Sequence, residues 1–211
     1  MANYELYQVD AFTSQAFRAN PAAVVLVDSW PSDAVLADIA AEMNLSETAF
    51  VGTPDNGARA LRWFTPTVEV DLCGHATLAS AHLLWETGRL GSGDAAFFDT
   101  RSGRLGAAQL SEGWIELDFP SLVASPVDAP ANLLASLGVA EDRPVWRSRF
   151  DYLVDLPDAD AVTAVRPDFA LLAAVDARVV IVTASAPAAG AVLGVDEDPV
   201  TGSAHCVLAP L

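Results

Sequence analysis

Two stretches of the chain share an order of residues that limits how it can fold. Residues 71–76, DLCGHA, and residues 198–204, DPVTGSA, each hold an acidic residue, then a glycine, then the start of a small-residue helix. Such self-similarity between two parts of one chain indicates an internal duplication. We therefore predict an N-terminal lobe, 1–118, and a C-terminal lobe, 132–211, joined by the proline-bearing linker 119–131.

Length and charge exclude several classes of protein. The 211 residues are 52% hydrophobic, which is enough to bury a substantial core. Lys and Arg number 11 against 28 Asp and Glu, and the net charge of −17 repels phosphate backbones and anionic membrane surfaces. No apolar run reaches the roughly 18 residues of a membrane span, and the opening MANYELYQVD lacks the regions of a signal peptide. We expect a soluble cytoplasmic protein that binds neither nucleic acid nor membrane.

Local patterns predict a mixture of strands and helices. Apolar and β-branched runs predict strands at 4–12 and 22–27, joined as a hairpin. The apolar face of DAVLADIAAEM predicts a helix that ends near Asn44, and TAFVG with RALRWFTP predicts a second hairpin. The helix opened by DLCGHA should end at Gly88. Further strands are predicted at AAFFD, LGAAQL, WIELDF, VWRSRFDYLVDL and ARVVIVTA, and further helices at NLLASLGV and PDFALLAAV.

The starts of the two motif helices are candidate anion sites. The first four N–H groups of a helix have no partner inside it, and the peptide dipoles place partial positive charge there. If the two lobes face each other, the helices that open at Gly74 and Gly202 can direct these donors into one shared cleft. Glycine at both positions lets a substrate carboxylate approach the backbone closely. The reactive groups would then cluster at a helix start because the site is there.

Glu47 is the candidate proton carrier. In the stretch NLSETAF it stands at the junction of a helix and a strand, among apolar neighbours. Burial would raise the pKa of its carboxyl group, and a nearby second carboxylate such as Asp198 would raise this pKa further. A group of this kind can accept and return a proton near neutral pH.

Three ordered motifs, LSETAF, DLCGHATLASAH and EDPVTGSAH, resemble those of the phenazine-biosynthesis PhzF-like isomerase family, which is related to diaminopimelate epimerase. The resemblance runs from YQVDAFT through ANPAAVV and RWFTPTVEVDLCGHAT to the second motif, which is nearly the whole chain. It implies an α+β fold of the diaminopimelate-epimerase type, with two pseudo-symmetric lobes, each a curved sheet around a central helix. It also implies a homodimer and no cofactor.

The resemblance further implies a cofactor-independent isomerase that moves a proton within a small carboxylated substrate. In this interpretation Glu47 shuttles the proton, and His75 and Asp198 assist it. Residues at the two helix starts would hold the substrate oxygens. The candidates for this role are Cys73, Gly74, Thr201, Gly202 and Ser203.

The cysteines and histidines leave one alternative function open and argue against a metal. Cys73 and Cys206 are too few for a disulfide framework, so we expect free thiols. The related epimerases use a thiol at each helix start, whereas Cys206 falls a turn inside the second helix. A two-base amino acid racemase is therefore a disfavoured alternative. His82 and His205 lack partners at ligand spacing, so we expect no metal site.

The C-terminal lobe departs from the family pattern in two places. The stretch SAPAAGAVLGV before the second motif is short, and Leu211 comes about two turns into the second central helix by the 3.6-residue count. We therefore expect an incomplete lobe at 132–211. A catalytically impaired homologue that binds a small molecule is a further alternative.

Overall fold

The computed structural model describes residues 3–13, 19–184, 192–193 and 204–208. The chain forms two compact units, Met1–Pro120 and Ser121–Leu211. Each unit contains one β-sheet, with two long helices in the first unit and short helices in the second. Among the described residues, no helix is long and apolar enough to cross a membrane.

The first unit is built on an eight-stranded sheet. Its strands are β1 (Glu5–Ala11), β2 (Asn20–Leu26), β3 (Thr48–Asp55), β4 (Ala58–Phe64), β5 (Glu69–Val70), β6 (Ala96–Thr100), β7 (Gly103–Gln109) and β8 (Ile115–Asp118). They follow the order β1-β2-β3-β4-β6-β7-β8, and β5 pairs with β4 outside this row. The pairs β2–β3 and β4–β6 are parallel, and the other pairs are antiparallel. The strands predicted in this half are confirmed.

An Asn-Gly turn sets the pairing at one end of β3 and β4. Asp55 pairs with Ala58, so only Asn56 and Gly57 connect the two strands. The φ angles of these two residues are 48° and 79°, the left-handed conformation that a type I′ turn requires at both positions. The predicted second hairpin therefore follows from a dipeptide that suits this turn.

Two helices cover the central strands of this sheet. The first, α1 (Asp33–Met43), packs through Leu36 and Ala40 against a cluster that includes Phe50 and Phe64. It ends at Asn44, whose left-handed backbone lets its N–H donate to the carbonyl of Ala40 at 3.1 Å. The second, α2 (Gly74–Glu86), packs against β1, β2 and β3. Because consecutive residues of β2 and β3 are buried, both faces of these strands are covered.

The helix α2 is buried along almost its whole length. Short side chains such as Ala76 and Ala79 let the strands approach closely. The hydroxyls of Thr77 and Ser80 donate to carbonyls one turn earlier, so burial leaves neither hydroxyl unpaired. The helix ends at the predicted place, before Gly88 with φ 67°. This burial is what a central helix requires.

The second unit contains a five-stranded sheet in the order β13-β12-β11-β10-β9. Its strands are β9 (Ser125–Val127), β10 (Val145–Arg147), β11 (Asp151–Leu156), β12 (Val179–Ala184) and β13 (Val192–Leu193). Its helices are α3 (Leu133–Leu137), α4 (Ala159–Ala164), α5 (Phe169–Leu172) and α6 (His205–Leu208). The segment predicted as a linker, 119–131, contributes the strand β9, because this short run pairs with β10.

The two units repeat one order of strand pairing. In the first, β1 and β2 are antiparallel, α1 leads to the parallel strand β3, and β4 follows antiparallel. In the second, β10 and β11 are antiparallel, α4 and α5 lead to the parallel strand β12, and β13 follows antiparallel. This common topology supports the predicted internal duplication.

Candidate functional site

The first motif lies between β5 and α2. Cys73 is the residue before the helix and has an extended backbone, with φ −142° and ψ 123°. Its side chain makes no hydrogen bond that caps the helix. Its carbonyl accepts a hydrogen bond from the Thr77 hydroxyl at 2.5 Å, which ties the start of the helix to its second turn. Gly74 is the first helical residue and is buried.

Glu47 reaches this helix start from the connection between α1 and β3. Its Oε2 atom lies 3.5 Å from Nε2 of His75. The His75 side chain is 2% exposed and that of Glu47 is 19% exposed. The Oε2 atom is buried, so the exposed part of the Glu47 side chain consists of its other atoms. The oxygen that faces the imidazole is thus shielded from solvent.

Cys73 contacts the other side of the same imidazole. Its Sγ atom lies 3.5 Å from Nδ1 of His75, within the range of a hydrogen bond to sulfur, and the residue is buried. The two ring nitrogens therefore face different partners. Contacts join Cys73 to His75 and His75 to Glu47, and we call this set of three residues the Cys73–His75–Glu47 chain. It unites both candidate catalytic residues that the structure describes with a third motif residue, Cys73.

The same three residues are a set of donors that could hold a metal ion in the part of the chain that the structure describes. One donor atom from each residue lies within 4.8 Å of the others. Carboxylate, thiolate and imidazole groups all bind zinc in proteins. Nδ1 of His75 lies nearest the Cys73 sulfur, and Nε2 lies nearest the Glu47 carboxyl group.

A network of charged side chains flanks the motif. Arg62 donates to both oxygens of Glu69 at 2.7 Å, and these hydrogen bonds raise the pKa of its guanidinium above the ordinary value. Arg101 also contacts Glu69, and its guanidinium lies 3.7 Å from Asp71, the first acid of the motif. Sequence reasoning missed this network. The sequence gives one signal for this network. Arg62 and Glu69 carry opposite charges and lie on β4 and β5, two paired strands that are close in the chain.

At the second motif, the structure describes only residues 204–208, which include the helix α6. The candidates Asp198, Thr201, Gly202 and Ser203 lie outside the described residues. Cys206 lies in α6, and burial raises the pKa of its thiol. Both cysteines are buried and neither forms a disulfide, so the prediction that they are not paired with each other is confirmed. Burial also explains why Cys206 is a poor candidate for proton transfer.

Comparison with known sequences shows wide similarity. The profile of the PhzC-PhzF family, described as phenazine biosynthesis-like protein, matches residues 9–211. An uncharacterized isomerase of Halalkalibacterium halodurans is 45% identical over 220 residues, which cover 100% of this chain and 82% of that protein. An uncharacterized isomerase of Pseudomonas aeruginosa is 47% identical over 217 residues, which cover 98% of this chain and 80% of that protein.

Solved structures share the architecture. A PhzF-family phenazine biosynthesis protein of Enterococcus faecalis superposes with a TM-score of 0.80 at 39% identity, covering 98% of this chain and 81% of that one. A hydroxyproline epimerase of Agrobacterium vitis superposes with a TM-score of 0.53 at 13% identity, covering 90% of this chain and 69% of that one. The second match shows a common fold alone. Together with a predicted epimerase and a probable proline racemase, these structures confirm the predicted diaminopimelate-epimerase-like fold class.

Proposed function

The chain belongs to the phenazine biosynthesis-like PhzC-PhzF family and is an isomerase, and we propose that it moves a proton within a small carboxylated substrate without a cofactor. Its family and enzyme class agree with the resemblance of the three motifs. The observation that carries the proposed mechanism is the contact of Glu47 with His75 at the start of α2.

In this proposal Glu47 takes a proton from the substrate and returns it at another position. The contact of 3.5 Å is long beside an ordinary N–H···O distance of about 2.9 Å. Catalytic hydrogen bonds are often long before the substrate binds and shorten in its complex. His75 is placed to stabilise the Glu47 carboxylate before transfer and to share the proton afterwards. It therefore assists Glu47 instead of acting on the substrate alone.

The start of α2 is the proposed place for the substrate carboxylate. The N–H groups of the first turn have no acceptor within the helix, and the Cys73 side chain does not cap them. Gly74 has no Cβ, so an anion can approach these donors closely. Such local donors are necessary in a protein of net charge −17, because the long-range field repels anions. The anion would then lie beside the carboxyl group that moves the proton.

The second motif supplies the remaining roles in the proposal. Asp198 would assist Glu47, and Thr201, Gly202 and Ser203 would hold other oxygens of the substrate together with Cys73 and Gly74. The family match supports this assignment because it extends through residue 211 and includes the motif. A homodimer completes the proposal on the strength of the same resemblance.

Replacement of Glu47 by Gln tests the proposal. The assay follows deuterium incorporation from heavy water into a panel of small amino and hydroxy acids. We expect Glu47→Gln to lower incorporation at least a hundredfold, about the size of a general acid–base contribution, and to leave the ligand-induced thermal shift intact. Glu42→Gln, at an exposed position of α1, is the matched control and should incorporate deuterium normally.

Two results would contradict the proposal. Unchanged incorporation in Glu47→Gln excludes Glu47 as the proton carrier. Absence of incorporation across the panel in the unmodified protein, alongside a clear thermal shift with one of the acids, favours the catalytically impaired binder.

A further inference from the structure

We propose that Cys73 is a positioning residue: its thiol determines which nitrogen of His75 carries the proton, and thereby keeps Glu47 ionised. The role of Cys73 in catalysis depends on the proposed function, because it acts through Glu47 as the proton carrier. The proton arrangement itself concerns only the folded protein, so it can be measured without a substrate.

The position of the sulfur is the first support. The hydrogen bond from Thr77 to the Cys73 carbonyl and the extended backbone of Cys73 fix the residue at the helix start. The sulfur does not cap the helix and instead lies 3.5 Å from Nδ1 of His75. Cys73 is 4% exposed and His75 is 1% exposed, so this contact is shielded from bulk water. Water competes little for a buried contact of this kind, so the contact is kept in the folded protein.

The number of protons in the Cys73–His75–Glu47 chain is the second support. With two protons, the chain has three consistent arrangements of equal net charge. In the first, the Cys73 thiol donates to Nδ1, and Nε2–H donates to the Glu47 carboxylate. In the second, protonated Glu47 donates to Nε2, and Nδ1–H donates to the Cys73 thiolate. In the third, an imidazolium with a proton on each ring nitrogen donates to the Cys73 thiolate and to the Glu47 carboxylate. Moving one or both protons one step along the chain interconverts the three arrangements, and no atom or charge is gained or lost.

The ordinary acidities of the end groups select the first arrangement. The ordinary pKa values are near 8.5 for a thiol, 6.5 for an imidazolium and 4.3 for a glutamate side chain, and this order favours a protonated sulfur, a neutral ring and an ionised carboxyl group. The thiol then occupies Nδ1 as a donor, which forces the ring proton onto Nε2, facing Glu47. An ionised Glu47 is what the proposed base requires. Without the thiol, Nδ1 loses its donor and the ring has less reason to keep its proton on Nε2.

Nuclear magnetic resonance of protein labelled with ¹⁵N at histidine tests this directly, because long-range ¹H–¹⁵N correlations show which ring nitrogen is protonated. The variants His82→Gln and His205→Gln assign the spectrum, since the chain has 3 histidines. We expect neutral His75 with its proton on Nε2 at pH 7. Cys73→Ser, which keeps a donor, should preserve this form. Cys73→Ala should lower the ratio of the Nε2–H to the Nδ1–H form about fivefold, the effect of losing one hydrogen bond.

The other buried cysteine provides the matched control. Cys206→Ala removes a thiol of the second unit and should leave the His75 signals unchanged. The proposal is overturned if unmodified His75 carries its proton on Nδ1 or on both nitrogens, or if Cys73→Ala leaves the ratio unchanged. Should Cys73→Ala not fold, the unmodified protein and Cys73→Ser decide the question. If the ¹⁵N experiment overturns the proton arrangement, the deuterium assay of Glu47→Gln is still a valid test of the proposed function. If the deuterium assay contradicts the proposed function, the proton arrangement measured by ¹⁵N is unaffected.

Discussion

Nε2 of His75 lies 3.5 Å from Oε2 of Glu47, although one residue opens a helix and the other precedes a strand. The contact arises because α2 packs against β3, so its first turn faces the residue before that strand. A buried imidazole beside a carboxyl group can stabilise either of its protonation states.

Replacement of His75 by Gln should therefore impair proton transfer. We expect deuterium incorporation to fall about a hundredfold, the lower end of a general acid–base contribution, because Gln cannot exchange a proton with Glu47. His82→Gln, on the same helix but only partly buried, is the control and should keep normal incorporation. Equal losses in both variants would point to disruption of α2 instead of a role for His75.

The ion pair of Arg178 with Asp151 should dominate the stability of the second unit. Both oxygens of Asp151 accept hydrogen bonds from Arg178, at 2.9 and 2.7 Å, and Asp151 is 1% exposed. Arg178→Met would leave a buried carboxylate without its cation, which should cost about 3–5 kcal/mol of unfolding free energy in a urea titration.

Arg104→Met is the control for this comparison, because Arg104 binds Asp99 at an exposed position. Exposed pairs contribute little, so no measurable change is expected there. Adding Asp151→Asn to Arg178→Met should recover part of the loss, since it removes the buried charge. Equal stabilities of the Arg178 and Arg104 variants would contradict the assignment.

The carboxyl group of Asp33 should titrate below its ordinary pKa of 3.8, because Arg62 donates a hydrogen bond to it and attracts its charge. The folded state therefore favours ionised Asp33. Its contribution to stability is complete above pH 3.8 and is lost as the pH falls through the lowered pKa. A ¹³C titration of the carboxyl groups measures this value directly.

Arg62→Met should return the pKa of Asp33 toward 3.8. The reciprocal control is Arg104→Met, which should raise the pKa of Asp99 and leave that of Asp33 in place, because Arg104 bonds to Asp99. An Asp33 titration that is the same with and without Arg62 would refute the ion pair.

The thiol of Cys206 should be unreactive in the folded protein. Burial raises the pKa of this thiol, so little thiolate forms, and with 7% of the residue exposed, reagents reach it poorly. In a Cys73→Ser variant it is the remaining cysteine, and we expect iodoacetamide at pH 8 to modify it only after unfolding in urea. Rapid modification of the folded protein would revive the two-thiol racemase.

Much of the fold follows from local sequence patterns. The Asn56-Gly57 dipeptide specifies a tight hairpin, Gly88 ends a helix, and the apolar face of α1 specifies its length, because each signal acts over a few residues. The strand β9 was missed because a three-residue run near prolines has no periodicity of its own and depends on β10 to pair with it.

The sequence by itself determined the family, most of the strands and longer helices, and the candidacy of Glu47 and His75. Only the tertiary structure decided that Cys73 lies against the imidazole and that Arg62 and Arg101 meet Glu69. The physical reason is the distance along the chain over which each interaction acts. Backbone preferences are set by neighbours in the chain, whereas the partner of a buried side chain is set by how a helix packs on distant strands.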